Sequence, residues 1–128
     1  MESRTILVVD DEEFVCWSLS QHLTAAGYRV FQATTGVEAL LQFRDHAMDL
    51  VFLDFKLPDA DGLSLLTRMK ELDSDTVIIL MTGHTSVEQA VAAMKLGVDL
   101  LLRGGRLGRA RTWTDPGQNF AVHLARAA

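Results

Sequence analysis

The sequence predicts an α/β fold, a doubly wound five-stranded parallel sheet in the flavodoxin-like order 2-1-3-4-5. Three observations lead there. Short apolar runs at Thr5–Val9, Asp49–Asp54 and Thr76–Met81 alternate with longer stretches of helical periodicity, as expected for strands buried on both faces and linked by crossover helices. The connections are short and rich in Gly, Asp and Thr, residues suited to turns and helix caps. The chain has 128 residues, one domain's length and enough for a sizeable core. Right-handed crossovers leave few strand orders for such a sheet.

Each element has its own signal. Thr5–Val9 is an apolar strand that runs into Asp10, Asp11, Glu12 and Glu13. From Glu12 to Ala26, the apolar positions Val15, Leu19, Leu23 and Ala26 recur at helical spacing, and Gly27 is a C-terminal stop. Tyr28–Ala33 reads as a short strand. Thr35 with Glu38 forms a capping box ahead of Ala39, Leu40 and Phe43. Asp49–Asp54 is the central strand, and a helix from near Gly62 carries Leu65, Leu66, Met69 and Leu72 as its buried stripe. Thr76–Met81 is the fourth strand and closes at Thr82. A second capping box, Thr85 with Glu88, opens a helix through Val87, Ala90, Val91 and Met94 that ends at Gly97. Val98–Leu102 is the fifth strand. Residues 1–102 thus form the predicted core. Residues 103–128 form an Arg/Gly-rich tail, irregular to Thr114, in which Asp115 and Pro116 cap a last helix carrying Phe120, Leu124 and Ala127.

Composition narrows the function. The content of 48% apolar and 23% charged residues is that of an ordinary globular protein. No run reaches the roughly 18 apolar residues of a spanning helix, and no signal peptide pattern opens the chain, so the expectation is a cytoplasmic protein with no membrane contact. The single cysteine, Cys16, allows no internal disulfide and no cysteine-based zinc cluster; it reads as a core or boundary residue of the first helix. The net charge of −5 is unevenly spread. Residues 103–128 carry five Arg against one Asp, a charge of +4, which leaves −9 for residues 1–102. An acidic body and a tail without interleaved aromatics give no footprint for direct nucleic-acid binding. The histidines at 22, 46, 84 and 123 share no metal-ligand spacing. His84 follows Thr82 closely but reads as a solvated loop residue. Trp113 reads as cover for an apolar patch, with a second copy of the chain in a homodimer as one partner.

Three strand ends converge in the predicted sheet. The first delivers Asp10 and Asp11, the third Asp54, and the fourth Thr82, all at the carboxyl edge where open α/β sheets take their ligands. Each has an ordinary structural reading. Acids favour a helix N-terminus, and Thr or Asp at a strand end is commonly a cap or turn residue. Together on neighbouring strands they point elsewhere. Crowded carboxylates raise one another's pKa unless a cation intervenes, and hard oxygen ligands suit Mg²⁺. With a metal beside it, Asp54 can stay ionised and attack phosphorus, and Thr82 offers a hydroxyl to a phosphoryl oxygen.

The same residues carry a family resemblance. Val8 to Glu12, then Leu53 to Gly62 with its Asp54, Pro58 and Gly62, then Met81 to Gly83 resemble the CheY-like receiver domain of two-component response regulators. The match covers about residues 4–100. Gly83 to Gly97 further resembles receivers of NtrC-type transcriptional activators. The resemblance implies that Asp54 is the phosphoacceptor, fed by a sensor histidine kinase. It implies that Asp11 ligates Mg²⁺ directly, Asp10 through water, and Lys56 through its backbone carbonyl. Thr82 would be the switch hydroxyl, and small Gly83 would leave the phosphoryl group accessible. The effector controlled, transcriptional by that resemblance, is absent from these 128 residues.

The resemblance breaks after the fifth strand. The family expects a Lys-Pro pair there. Counted without gaps from Thr82 those places hold Gly104 and Gly105, while one deletion near Val98 puts Arg103 in the lysine's place. No Lys follows Lys95, and Leu100, Leu101 and Leu102 stand where an aromatic is expected. Two readings stay open, a naturally divergent receiver or a segment from about Val98 that is not the family's own coding, as in a shifted frame. Three functions compete. The first is a phosphorylated signalling module with at most self-phosphotransfer and autodephosphorylation. The second is a pseudo-receiver that binds partners without productive phosphorylation. The third is a small Mg²⁺-dependent phosphohydrolase, which calls for an acid two residues after the nucleophile where Lys56 stands.

Overall fold

The computed structural model describes residues 4–82, 91–93, 95–96, 100–103, 111–114 and 121–124. Five parallel strands form one sheet: β1 (Thr5–Val9), β2 (Arg29–Ala33), β3 (Leu50–Asp54), β4 (Val77–Thr82) and β5 (Leu100–Arg103), in the order β2-β1-β3-β4-β5. This is the predicted topology. Three helices join the first four strands: α1 (Glu13–Ala25), α2 (Gly36–Asp45) and α3 (Gly62–Leu72). Residues 91–93 and 95 are also helical. The capping box at Thr85 lies outside the described residues, as does Gly97.

The apolar runs are buried because successive side chains go to opposite faces, and both faces are covered. Ile6, Val8, Leu50, Phe52 and Ile79 pack with Cys16, Leu19 and Leu23 of α1. Leu7, Val9, Val51, Leu53, Ile78 and Leu80 pack on the other face with Ala39 and Phe43 of α2 and Leu65, Leu66 and Met69 of α3. These strand residues are all fully buried. Cys16 is a core residue, as expected.

Local signals set the helix ends. Gly27 takes φ +100° after α1. The Tyr28 N–H donates to the Leu23 carbonyl at 3.1 Å, and the Gly27 N–H to that of Thr24 at 3.0 Å. This is a Schellman stop, which glycine adopts without strain. Thr35 caps α2 by accepting from the Glu38 N–H at 3.1 Å. Asp61 caps α3 by accepting from the Ser64 N–H at 2.8 Å.

Several expectations need correction. Leu72, expected in the buried stripe of α3, is 48% exposed, because the helix ends there beyond the sheet. Ala26 lies past the end of α1 and is exposed. Strand β1 has its expected bounds, β2, β3 and β4 begin one residue later than expected, and β4 and β5 end one residue later; Val98 and Asp99 lie outside the described residues. In the tail, residues 121–124 are not helical. Strands β6 (Arg111–Thr114) and β7 (Ala121–Leu124) pair antiparallel in a separate two-stranded sheet, with Trp113 in register with Val122. Thr112, Trp113, Thr114 and Val122 are the β-branched and aromatic residues that favour strands. Phe120 and Ala127, two of the three residues of the expected helical stripe, lie outside the described residues. Asp115 and Pro116 lie outside the described residues.

Candidate metal centre

The acidic site follows from sheet register. Val9 pairs with both Ala33 and Leu53, so the next residues, Asp10 and Asp54, leave β1 and β3 at the same level. Asp54 pairs in turn with Met81 of β4, and Thr82 with Arg103 of β5. Four strand tips therefore share one edge. Carboxylate oxygens of Asp10, Asp11 and Asp54 all lie within 4.8 Å of one another. The structure thus joins the three acids that the sequence singled out. The Thr82 and Arg103 side chains lie outside the described residues, whereas their backbones end β4 and β5.

Two matching turns aim the carboxylates. Asp10 Oδ1 accepts from the Glu12 N–H at 2.9 Å, and Asp54 Oδ1 accepts from the Lys56 N–H at 3.3 Å. Each is an aspartate bonded to the backbone two residues on, the local turn that Asp favours. The Asp10 N–H also donates to the Ala33 carbonyl at 3.1 Å, which fixes the tip of β1 to β2. Beyond Asp54 the chain turns back sharply. The Leu57 N–H donates to the Ala60 carbonyl, and the Gly62 N–H to the Phe55 carbonyl at 2.6 Å. A Cβ on Gly62 would sit 2.8 Å from Phe55 Cα and 3.0 Å from the Asp54 carbonyl. Glycine is required there because α3 starts against the backbone of the phosphorus-seeking residue predicted from sequence.

Burial and mutual repulsion govern the charge. Asp10 is buried and Asp54 half-buried, while Asp11 and Lys56 are exposed. Burial, followed by the charges of Asp11 and Glu12, lifts the Asp10 carboxyl to about 6 against the bond from Glu12. Burial, followed by the charge of Asp10, lifts Asp54 to about 7, and a hydrogen bond with the Asp11 carboxyl adds to the rise. Among the described residues, no Lys or Arg forms an ion pair with these acids. Three hard oxygen donors that no described side chain neutralises fit a divalent cation such as Mg²⁺, which prefers carboxylate and carbonyl oxygens and retains water. Such an ion would restore the ordinary ionisation of both carboxyls.

The chain matches the family model for the response regulator receiver domain over residues 6–103. It belongs to the response regulator receiver family. Among curated relatives, this receiver is 39% identical over 99 residues to the transcriptional regulatory protein ZraR of Escherichia coli K12, a match covering 77% of this chain and 22% of ZraR. It is 34% identical over 97 residues to the transcriptional regulatory protein PrrA of Mycobacterium tuberculosis H37Rv, covering 76% of this chain and 42% of PrrA. The receiver therefore spans less than half the length of these relatives. Among solved structures it resembles a CheY-like receiver domain protein from Methanospirillum hungatei JF-1, with a TM-score of 0.78, 32% identity and coverage of 80% and 82% of the two chains. It also resembles a Burkholderia pseudomallei response regulator crystallised with a phosphorylated aspartic acid, a calcium ion and citrate. There the TM-score is 0.75, the identity 34%, and the coverage 79% of this chain and 59% of that one.

One residue near the site escaped the sequence reading. In sequence, Asp59 is only one residue of the Pro, Asp and Gly-rich turn between Asp54 and Gly62. Its two carboxylate oxygens accept from the Gly36 and Val37 N–H groups at 2.7 and 3.0 Å, at the start of α2. The partners lie 23 and 22 residues away, and a contact of that range leaves no periodic signal. Among the described residues, no helix is long and apolar enough to cross a membrane.

Proposed function

We propose that this receiver takes a phosphoryl group from a histidine kinase on Asp54 in the cytoplasm and thereby controls an effector, transcriptional in output, that lies outside these residues. The observation that carries the reading is the meeting of Asp10, Asp11 and Asp54 oxygens within 4.8 Å at the carboxyl edge of the sheet. The raised pKa values of Asp10 and Asp54 support it, because they mark a site whose charge has no partner among the described residues. So does the phosphorylated aspartic acid named for the Burkholderia pseudomallei relative.

Asp10, Asp11, Asp54 and the Lys56 backbone carbonyl would hold Mg²⁺, which when bound supplies neutralisation of the phosphoryl oxygens. The chain's own residues do the remaining work. One Asp54 oxygen attacks phosphorus as the bond from phosphorus to the kinase imidazole breaks, and the imidazole nitrogen leaves with that electron pair. The Lys56 N–H holds the other oxygen in place from 3.3 Å. The Thr82 hydroxyl donates to a phosphoryl oxygen as the switch. The Arg103 backbone pairs with Thr82 at the tip of β5, which suits Arg103 to the place where the family keeps Lys. Its planar guanidinium is no neutral replacement for an ammonium.

Incubation with acetyl phosphate and Mg²⁺ tests the reading by intact mass. A gain of one phosphoryl group that disappears in Asp54→Asn is expected. Labelling that survives the substitution defeats the assignment. A second reading, the pseudo-receiver, is favoured by the lack of any Lys after Lys95. It predicts no labelling and no response to beryllofluoride even with Mg²⁺ bound.

A further inference from the structure

We propose that Asp59 is a positioning residue for the acidic site, acting by fixing the loop between β3 and α3 to the first turn of α2. Both of its oxygens are engaged. Oδ1 takes the Gly36 N–H at 2.7 Å and Oδ2 the Val37 N–H at 3.0 Å. These are the first two donors of α2, which have no partner within the helix. The third, the Glu38 N–H, goes to Thr35 Oγ1. The start of α2 is therefore capped by its own Thr35 and by a residue from a distant loop. Contact between the two segments is close enough to dictate sequence. A Cβ on Gly36 would lie 2.9 Å from the Ala60 Cβ and 3.2 Å from Asp59 Oδ1.

The loop is closed on itself as a unit. The Leu57 N–H reaches the Ala60 carbonyl at 3.2 Å, Lys56 and Asp61 form an antiparallel bridge, and the Gly62 N–H reaches the Phe55 carbonyl at 2.6 Å. Such a unit resists internal change but can tilt as a body at its junction with β3. Asp59 at the tip opposes that tilt by anchoring to α2, whose Ala39 and Phe43 are buried in the core. At the other end, the Lys56 N–H meets Asp54 Oδ1 at 3.3 Å, near the long limit for a hydrogen bond and easily lost. A tilt of the loop therefore swings the Lys56 peptide, its N–H away from Asp54 and its carbonyl away from the direction it holds. The consequence for Mg²⁺ rests on the function proposed above. The two amides hold the Asp59 carboxyl below the usual carboxylate range, so the clamp stays charged at neutral pH.

The test compares Asp59→Ala with Thr35→Ala. Both remove a cap from α2, whereas only the first frees the loop. In the metal-free protein, amide hydrogen exchange at Lys56, Leu57 and Gly62 is expected to rise in Asp59→Ala and to stay at the wild-type level in Thr35→Ala. Mg²⁺ affinity is expected to fall about tenfold in Asp59→Ala, the loss typical when a residue supporting metal ligands is removed, and to be unchanged in Thr35→Ala. Asp59→Asn keeps one acceptor oxygen and should fall between Asp59→Ala and wild type. Unchanged exchange in Asp59→Ala, or an equal rise at these amides in Thr35→Ala, overturns the inference. If the wild type itself binds no Mg²⁺, the proposed function fails, and the exchange rates alone decide the clamp.

Discussion

Replacing Asp54 with Asn should stabilise the metal-free receiver. Burial, with the charge of Asp10 next, lifts the Asp54 carboxyl from 3.8 to about 7. A rise of about three pKa units corresponds to about 4 kcal/mol between the charged and neutral forms. Asp54 is half-buried, and screening by water reduces this to about 1–2 kcal/mol. The sign follows from proton linkage. Between pH 3.8 and about 7 the folded chain binds more protons at this site than the unfolded chain. Stability therefore falls as pH climbs through that window and levels off above it. Asparagine keeps the shape and can still accept from the Lys56 N–H, but it carries no charge. At pH 7.5 without metal, Asp54→Asn should melt about 3–8 °C above the wild type, given about 1–2 kcal/mol at this chain length. At pH 4.5 the two should nearly coincide. Saturating Mg²⁺ should raise the wild-type melting temperature and leave the variant almost unmoved. Thermal melts at both pH values, with and without Mg²⁺, make the comparison. A metal-free variant no more stable than the wild type at pH 7.5 would refute the reasoning, since the charge at Asp54 would then carry no cost.

Other outcomes follow from the same coordinates. Mg²⁺ affinity should weaken as pH falls from 8 to 6, because protons compete at Asp54 near 7 and at Asp10 near 6; calorimetric titration at the two pH values measures it. Gly62→Ala should cost about 2–3 kcal/mol in urea denaturation, the range for overpacking a rigid site, because its Cβ meets backbone at 2.8 and 3.0 Å. Phe52→Ala, in the fully buried centre of β3, should cost about 3–5 kcal/mol by the same assay. Leu72→Ser, at an exposed helix end, should shift stability by no more than about 0.5 kcal/mol.

The sheet was legible because its strands are buried on both faces. A run such as Leu50–Leu53 has no polar side to confuse its period, and the handedness of the crossovers left few strand orders, of which 2-1-3-4-5 is one. The three acids were legible because register is a counting rule. Once β1 and β3 are neighbours, Asp10 and Asp54 leave them together. Residues at helix ends were less so. Ala26 and Leu72 continue an apolar period past the point where the core ends, and periodicity does not record where a helix leaves the sheet. The exposed side of α1 illustrates the converse. Phe14 and Trp17 are 73% and 54% exposed, while Cys16 and Ser20 point inward. In the tail, Arg111–Thr114 and Ala121–Leu124 pair as strands, a pairing of two short segments that no single-segment period announces. Asp59 was invisible for a different reason. Its short-range role as a turn residue was sufficient to explain it, and its partners on α2 are defined only by the folded chain.

The arrangement of costs points to a ligand. Among the described residues, nothing in the fold needs three carboxylates at the tips of β1 and β3. Asparagine at Asp10 or Asp54 would make the same turns, as an Asx acceptor for Glu12 or Lys56. The charge adds only repulsion and desolvation, which is why both carboxyls are held above their ordinary range. Meanwhile three features keep the acids converged rather than letting them spread: the Asp10 N–H bound to Ala33, the backbone pressed against Gly62, and the loop held by Asp59. A chain that relieved its own strain would do the opposite. A divalent ion bound at a hundred times its dissociation constant returns about 2.7 kcal/mol, comparable to the penalty of about 1–2 kcal/mol left at Asp54 after screening. On the function proposed above, the metal-free protein would be the less stable partner in an equilibrium that a bound ion completes. Preorganised repulsion of this kind suits the cation, and the phosphoryl charge it would neutralise, of the function proposed above.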